Sequence, residues 1–407
     1  MGDPNYVMVG GQNGIGNWEG SFNTPLEFVQ WPRLERIDLD NYSVTPLTPV
    51  PGGGSVWGGG WNGSQWLISG WGFDDGPNGS NPYIYLYNGR SQVVGGSLDQ
   101  YEAESSWRGG DIFAASYSGR EWLLSGLGSG NLTSYGSANH MALSTFNGNN
   151  FTDLSASIPN QRDLILYANA WNGRYWLVGG GYLDTGVLFL FNGIRIIDLS
   201  DQIARSVQDF GSVQALAWNG HYWLIGGENF LATYDGYEFT DLTNQLNSVL
   251  ALSGICCTAV NAIAWNGAEW MLGGGTPVAQ TGYSQGWIVT YSSGTIVNLT
   301  PEIIPSATDF IRNSSILTIA AAPDSWVIGG YLKNQGLLYE YSWKSFRNLS
   351  DLVSNFTYVN WVGAVAAQNH IQITSHNHLF PESRLIIRQC RGWVADTLDS
   401  FEDFRFE

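Results

Sequence analysis

A motif of the form Trp-Asn-Gly-x-x-Trp-Leu-x-Gly-Gly recurs along this chain of 407 residues and constrains its fold more than any other feature. Six copies are recognisable, at residues 60–70, 116–126, 170–180, 217–227, 264–274 and 322–330. Two degenerate copies, at 7–11 and 371–375, bring the predicted number of units to eight. A period of about 50 residues is typical of arrays in which each unit is one supersecondary element.

Each unit has the pattern of two β-hairpins. In the unit at 213–246, Asn219-Gly220 separates two apolar runs and Asp235-Gly236 separates two more. Such dipeptides favour tight type I′ turns, which need positive φ at both central residues. Four antiparallel strands per unit predict propeller blades, because one blade cannot bury both its faces whereas a closed ring can. The sequence therefore predicts an all-β chain, a single propeller over residues 1–407 with eight four-stranded blades, or seven if the last unit is miscounted.

The two ends of the chain predict how this ring closes. The first unit begins directly at a second strand, near Val7, and so lacks its innermost strand. The segment Phe404-Arg405-Phe406 alternates apolar and polar residues and is the candidate for that strand. Pairing the C-terminal strand with the N-terminal blade removes an exposed sheet edge.

On these repeats the chain resembles secreted β-propeller proteins built from WNGxxWLxGG units. Those proteins are similar in architecture to kelch propellers and to extracellular propellers of thermophilic archaea. The resemblance covers nearly the whole chain and implies an extracellular or cell-surface location, with a leader removed. It implies no particular activity, because propellers serve as binding modules, enzymes and scaffolds alike.

Charge and hydropathy exclude two classes of partner. The formal net charge is −18, and Lys333 and Lys344 are the two lysines of the chain. Nucleic acid is not expected as a partner, since no basic stripe is present to contact phosphates. Membrane insertion is not expected either, because no apolar run approaches the roughly 18 residues that span a bilayer.

The lengths of the connections predict where a binding site lies. The Asn-Gly and Asp-Gly turns fall on one rim of the ring, which we call the short-turn rim. The long connections fall on the opposite, long-loop rim, at 12–32, 71–82, 100–110, 127–139, 247–259, 275–285 and 304–315. Function concentrates on long loops that a rigid scaffold positions.

Aromatic and acidic residues of these loops are the predicted ligand-binding residues. They are Trp18, Trp71, Phe73, Asp74, Asp75, Tyr101, Glu102, Glu104, Trp107, Tyr182, Asp184 and Tyr283. Aromatic rings pack on the apolar faces of sugars while carboxylates accept sugar hydroxyls. We therefore predict a binding or surface-attachment module, with a glycan or a surface protein as its partner. Alternatively, these aromatic residues have a structural role and form small hydrophobic cores beneath their own loops.

Two further functions stay open at the level of sequence. Glu102 and Glu104, or Asp74 and Asp75, are candidate acid–base pairs of a glycan-cleaving enzyme. A structural component of a cell-surface layer, filament or virion is the other alternative, so the chain is a monomer or part of a surface assembly.

Signals for metals, cofactors and disulfides are weak. His376 and His378 form a His-x-His pair, but solvated loop histidines are the default interpretation. No metal and no cofactor is predicted. Cys256, Cys257 and Cys390 are too few and unevenly placed for a disulfide framework. Nine Asn-x-Ser/Thr sequons are consistent with a secreted glycoprotein.

Overall fold

The chain folds as a single β-propeller of seven four-stranded antiparallel blades, described here from a computed structural model. The structure describes residues 5–13, 31–47, 54–73, 80–88, 92–97, 107, 110–128, 140–160, 163–182, 185–255, 259–276, 285–303, 314–322, 324–333, 335–356 and 358–364. Inner strands of successive blades contact one another around the ring, from β4 and β8 onward to the pair that closes it.

In blades 2 to 7 the four strands are paired side by side in chain order, whereas blade 1 takes its first strand from β28. Blade 1 consists of β28 (Tyr358–Ala364), β1 (Tyr6–Asn13), β2 (Trp31–Asp38) and β3 (Val44–Pro46). Blade 2 contains β4 (Gly54–Trp61), β5 (Trp66–Phe73), β6 (Ser80–Tyr87) and β7 (Gln92–Ser97). Blade 3 contains β8 (Asp111–Tyr117), β9 (Trp122–Gly128), β10 (His140–Phe146) and β11 (Phe151–Asp153). Blade 4 contains β12 (Ile165–Trp171), β13 (Trp176–Tyr182), β14 (Thr185–Phe191) and β15 (Ile196–Asp198).

The last three blades continue this order. Blade 5 contains β16 (Val213–Trp218), β17 (Trp223–Gly227), β18 (Phe230–Tyr234) and β19 (Phe239–Asp241). Blade 6 contains β20 (Ala259–Trp265), β21 (Trp270–Gly275), β22 (Trp287–Ser292) and β23 (Thr295–Asn298). Blade 7 contains β24 (Ser314–Ala321), β25 (Trp326–Leu332), β26 (Gln335–Ser342) and β27 (Ser345–Asn348). Short helices follow several fourth strands: α1 (Ser200–Ser206), α2 (Thr243–Ala251), α3 (Thr300–Ile303) and the 3-10 turns Ser155–Ser157 and Ser350–Val353.

The blade count of seven confirms the alternative prediction, and the preferred count of eight is wrong. The degenerate copy at 371–375 predicts an eighth blade, whose first strand would include the residues near Ala364. Instead β28 pairs antiparallel with β1, with Val362 opposite Val9, and supplies the missing inner strand of blade 1. Closure of the N-terminal blade by a C-terminal strand is thereby confirmed. The position predicted for Phe404–Phe406 is occupied by β28, and residues 371–375 and 404–406 lie outside the described residues.

The first hairpins of blades 2, 4, 5 and 6 turn where the Asn-Gly signal predicts, but not as type I′ turns. In blade 5 the loop runs from Asn219 to Tyr222, and only Gly220 has positive φ, at 97°. The side-chain Oδ1 of Asn219 accepts hydrogen bonds from the amides of His221, at 2.9 Å, and Tyr222, at 2.8 Å. The asparagine side chain and the backbone bond from the Asn219 amide to the Tyr222 carbonyl, at 3.3 Å, therefore close the four-residue loop together.

A signature Asp/Asn-Leu-Ser/Thr, which stands at the end of the fourth strand in blades 3 to 7, also has a structural cause. Asp241 Oδ1 accepts a hydrogen bond from the amide of Thr243, at 2.8 Å. The Thr243 hydroxyl then accepts from the amide of Leu231 on the third strand, at 3.1 Å. The same pairing recurs at Asn298 with Thr300 and at Asn348 with Ser350. Two of the sequons therefore coincide with a motif that ends a strand.

The repeated Trp of each second strand lies in the core between blades. Trp66, Trp122, Trp176, Trp223, Trp270 and Trp326 are all buried. The Gly-Gly pair that follows them permits close approach of the next blade: a Cβ on Gly226 would lie 2.5 Å from a Val260 methyl. These glycines therefore set the spacing between neighbouring sheets.

A candidate binding site in the central channel

The inner strands of the seven blades surround a cavity on the propeller axis. Its volume is about 410 Å³, and its walls come from β4, β8, β12, β16, β20, β24 and β28. Cavities of about 300–1,000 Å³ are typical of small-ligand sites. The inner strands are rich in alanine and glycine, such as Ala215 and Ala217 in β16, so that the axis is not filled by side chains.

A β-bulge recurs at the same place in all seven inner strands, and its extra residues in blades 2 to 7 supply one layer of this wall. In β4 the register shifts between Val56 and Gly58, which leaves Trp57 without a partner residue. Equivalent shifts occur in β8, β12, β16, β20, β24 and β28. The extra residues of blades 2 to 7, which we call the bulge ring, are Trp57, Phe113, Tyr167, Gln214, Asn261 and Leu317, and all of them line the cavity. Bulges often re-aim side chains next to functional sites.

One half of the bulge ring is aromatic. The ring centroids of Trp57 and Phe113 lie 5.6 Å apart, and those of Phe113 and Tyr167 lie 5.3 Å apart. Burial, with the nearby carboxylate of Glu228 and the phenol of Tyr182, raises the pKa of Tyr167 to about 12. Blades 2 to 4 therefore present a continuous aromatic arc that carries a protonated phenol at one end.

The next part of the bulge ring is made of amides. Gln214 Nε2 donates a hydrogen bond to Glu228 Oε1 at 3.4 Å. Asn261 Nδ2 donates to Ser315 Oγ at 3.0 Å and to the carbonyl of Ile316 at 3.1 Å. Among the described residues, no donor contacts the side-chain oxygen of either amide. The hydrogen bonds that the NH₂ groups donate therefore fix the orientation of both side chains, and both amide oxygens remain available as acceptors for a ligand.

The other end of the cavity lies at the short-turn rim. There the last residues of five inner strands, the collar aromatics, line the wall: Trp61, Tyr117, Trp171, Trp218 and Trp265. Each is half-buried against the repeated Trp of its own blade; Trp171 and Trp176, for example, have centroids 4.2 Å apart. In blade 7 the equivalent position, opposite Trp326, is Ala321.

The described part of the cavity wall consists of neutral side chains. Among the described residues that line it, none is Asp, Glu, Lys or Arg. Polar groups are amides, hydroxyls and indoles, including Asn169, which accepts from Ser116 Oγ and donates to Ser125 Oγ at 2.7 Å. The described wall of the channel is therefore neutral, although the chain has a formal net charge of −18.

The residues predicted from the long loops lie elsewhere or outside the described residues. Trp71 is half-buried in β5, and Phe73 ends that strand. Tyr182 is 58 % exposed at the end of β13. Trp107 is 1 % exposed and donates to Ser144 Oγ at 2.8 Å, so its ring belongs to the core of this structure. Outside the described residues lie Trp18, Asp74, Asp75, Tyr101, Glu102, Glu104, Asp184 and Tyr283.

The bulge ring escaped the sequence analysis although the chain contains a signal for it. Each member stands nine residues before the repeated Trp of its blade, as Tyr167 does before Trp176 and Gln214 before Trp223. Flanking positions are small or aliphatic, whereas this one holds Trp, Phe, Tyr, Gln, Asn or Leu. A variable position inside an otherwise regular repeat is a useful marker of a ligand-facing residue.

Asp111, the first residue of β8, makes stability depend on pH. Burial raises the pKa of its carboxyl from 3.8 to about 7. Because the folded chain holds this proton more tightly than the unfolded chain, the contribution is complete below about pH 4 and is lost as the pH rises to about 7. We predict that Asp111→Asn gains stability relative to wild type across that window, as measured by urea unfolding at pH 4.5 and 7.5. A constant difference at both pH values would contradict this.

Comparisons with known proteins bear on the fold alone. No family model and no curated protein matches this chain. A candidate 6-phosphogluconolactonase from Bacteroides uniformis is 12 % identical, with a TM-score of 0.48, over 89 % of this chain and 100 % of that one. A second, from Bacteroides fragilis, is 11 % identical, with a TM-score of 0.47, over 89 % and 98 %. The propeller domain of the Trilobed protease from Pyrococcus furiosus is 9 % identical, with a TM-score of 0.47, over 85 % and 98 %.

Neither a bilayer-spanning helix nor a cluster of metal ligands is found in the part of the chain that the structure describes. No helix there is both long enough and apolar enough to cross a bilayer. Nor do the described residues bring together three or more His, Cys, Asp or Glu side chains in an arrangement suited to a metal ion.

Proposed function

We propose that this chain is a carbohydrate-binding propeller that holds a neutral sugar in its central channel. The observation that carries the proposal is an uncharged cavity whose inner layer is aromatic on one side and amide-bearing on the other. Aromatic faces pack on the C–H groups of a sugar ring, and amides hydrogen-bond its hydroxyls. The aromatic arc Trp57–Phe113–Tyr167 and the amides of Gln214 and Asn261 meet both requirements.

The absence of charge in the described wall argues for a neutral ligand. An ionised group loses its hydration when it enters such a cavity and regains it only from a partner of opposite charge. A sugar with hydroxyl groups alone pays no such penalty, because amides and hydroxyls replace its bound water. A neutral oligosaccharide should therefore bind more tightly than a uronic-acid oligosaccharide of the same length.

The location that we propose is extracellular or at a cell surface. Sequon asparagines at Asn41, Asn150 and Asn355 are exposed, which is what attachment of a glycan requires. The long-loop residues predicted to bind a glycan remain a separate proposal, a second glycan contact on the opposite rim with the exposed ring of Tyr182 at its edge. The channel is the part of the site that the described residues support.

Substitution of Trp57 tests the proposed function. A screen of neutral and acidic oligosaccharides identifies a ligand, and calorimetry then compares wild type with Trp57→Ala. We expect about a tenfold loss of affinity, since one aromatic contact contributes about 0.5–1.5 kcal/mol beyond its buried area.

The matched control is Trp343→Ala. Trp343 is 89 % exposed in the turn between β26 and β27, the two outer strands of blade 7, whereas the bulge ring lies on the inner strands. It should bind as wild type does. Failure of every neutral oligosaccharide to bind, or equal affinity of Trp57→Ala and wild type, would refute the proposal. Cleavage of the bound sugar in the same assay would favour the enzyme alternative.

A further inference from the structure

The channel cavity has one end that lies inside the ring. Its wall begins at the bulge ring, and none of the residues that precede the bulges lines it. Val56, Ile112 and Leu166, which stand immediately before three of the bulges, are fully buried in the blades instead. The three contacting aromatic rings of the bulge ring lie at this end. In the part of the chain that the structure describes, the bulge ring therefore forms the inner end of the cavity, which we call its floor.

The other end of the cavity reaches the surface at the short-turn rim. Its wall continues past the collar aromatics to Gly119, Asn172 and Gly173, which belong to the loops of the first hairpins. Gly119 is exposed, and Asn172 and Gly173 are partly exposed. The collar aromatics surround this mouth on blades 2 to 6, and Ala321 leaves a gap in the collar at blade 7.

We propose that the channel receives the terminus of a saccharide chain, which enters through the short-turn rim and stops at the bulge ring. This inference rests on the proposed function and specifies its ligand. An interior segment of a polysaccharide continues in both directions and so needs a site with two openings or an open cleft. A cavity that opens at one rim and ends at the bulge ring, as the described residues define it, suits a chain end, with the rest of the chain leaving past the collar aromatics.

The first test uses the neutral oligosaccharide that binds most tightly, prepared with a bulky dye on its reducing end or on its non-reducing end. We expect one labelled form to keep its affinity and the other to lose at least tenfold. Equal binding of both forms, or loss of binding by both, would overturn insertion of a chain end. Absence of binding by the unlabelled sugar would instead refute the proposed function, so the two failures are distinguishable.

The second test locates the mouth with two matched cysteine variants. Ala268 is exposed in the first-hairpin loop of blade 6, on the short-turn rim, and Ala156 is exposed after β11, on the long-loop rim. Ala268→Cys and Ala156→Cys are each modified with a bulky maleimide, and modified wild type corrects for Cys256, Cys257 and Cys390. Sugar binding should fall at least tenfold for Ala268→Cys and stay unchanged for Ala156→Cys. The opposite result, or no effect of either label, would overturn entry through the short-turn rim.

Discussion

Replacing Trp223 with alanine is expected to lower the free energy of unfolding by about 3–5 kcal/mol. Trp223 is 1 % exposed, stacks on Tyr234 with centroids 5.7 Å apart, and packs against Trp218 at 4.4 Å. Its neighbours belong to two sheets, and the Gly-Gly pairs fix the spacing between these sheets. The neighbours therefore cannot move together to fill the cavity left by the indole. The loss should appear as a lower urea midpoint with an unchanged slope.

The control for this prediction is again Trp343→Ala. That residue has the same side chain but is 89 % exposed, so its loss should change stability by less than about 0.5 kcal/mol. The contrast separates burial between blades from any general effect of removing an indole. Similar stabilities of the two variants would mean that the repeated Trp residues do not hold the blades together.

The repeat predicted the blades because both of its signals are local. The Asn-Gly turn and the apolar second strand lie within a few residues of each other, as in Asn219 to Ile225, and local hydrogen bonds and burial determine both. The number of blades is not local. The strand at 358–364 has the composition of an inner strand, and that composition suits a new blade as well as the first one. Only pairing between opposite ends of the chain, Val9 with Val362, decides between them.

The channel was missed for a different physical reason. Periodicity identifies which face of a strand is buried, but a bulge inserts one residue and changes the direction of its side chain without a signal in the alternation. Trp57, Phe113 and Tyr167 therefore had the pattern of ordinary inner-strand residues. Loop length directed attention to the opposite rim, where residues such as Trp18 and Glu102 lie outside the described residues.

Closure of the ring is the interaction whose loss should have the widest effect. Val362 is 4 % exposed on β28, packs with the core shared by blades 7 and 1, and its amide donates to Thr318 Oγ1 at 3.0 Å. Val362→Asp places a carboxylate among Val7, Val9 and other aliphatic side chains. An unpaired buried charge typically costs about 3–5 kcal/mol, so we expect at least that loss in the free energy of unfolding.

The same substitution should also change the association state, and this separates ring closure from ordinary core damage. If β28 leaves β1, the backbone edge of β1 from Tyr6 to Asn13 is free to pair with another chain, as exposed strand edges do. Light scattering should then show concentration-dependent association of Val362→Asp in mild urea, before global unfolding. Val297→Asp is the control, because Val297 is 49 % exposed on the outermost strand of blade 6. This substitution introduces the same charge but leaves the pairing of β28 with β1 intact. A monomeric Val362→Asp with wild-type stability would show that β28 is dispensable, and the seven-blade ring would then need another means of closure.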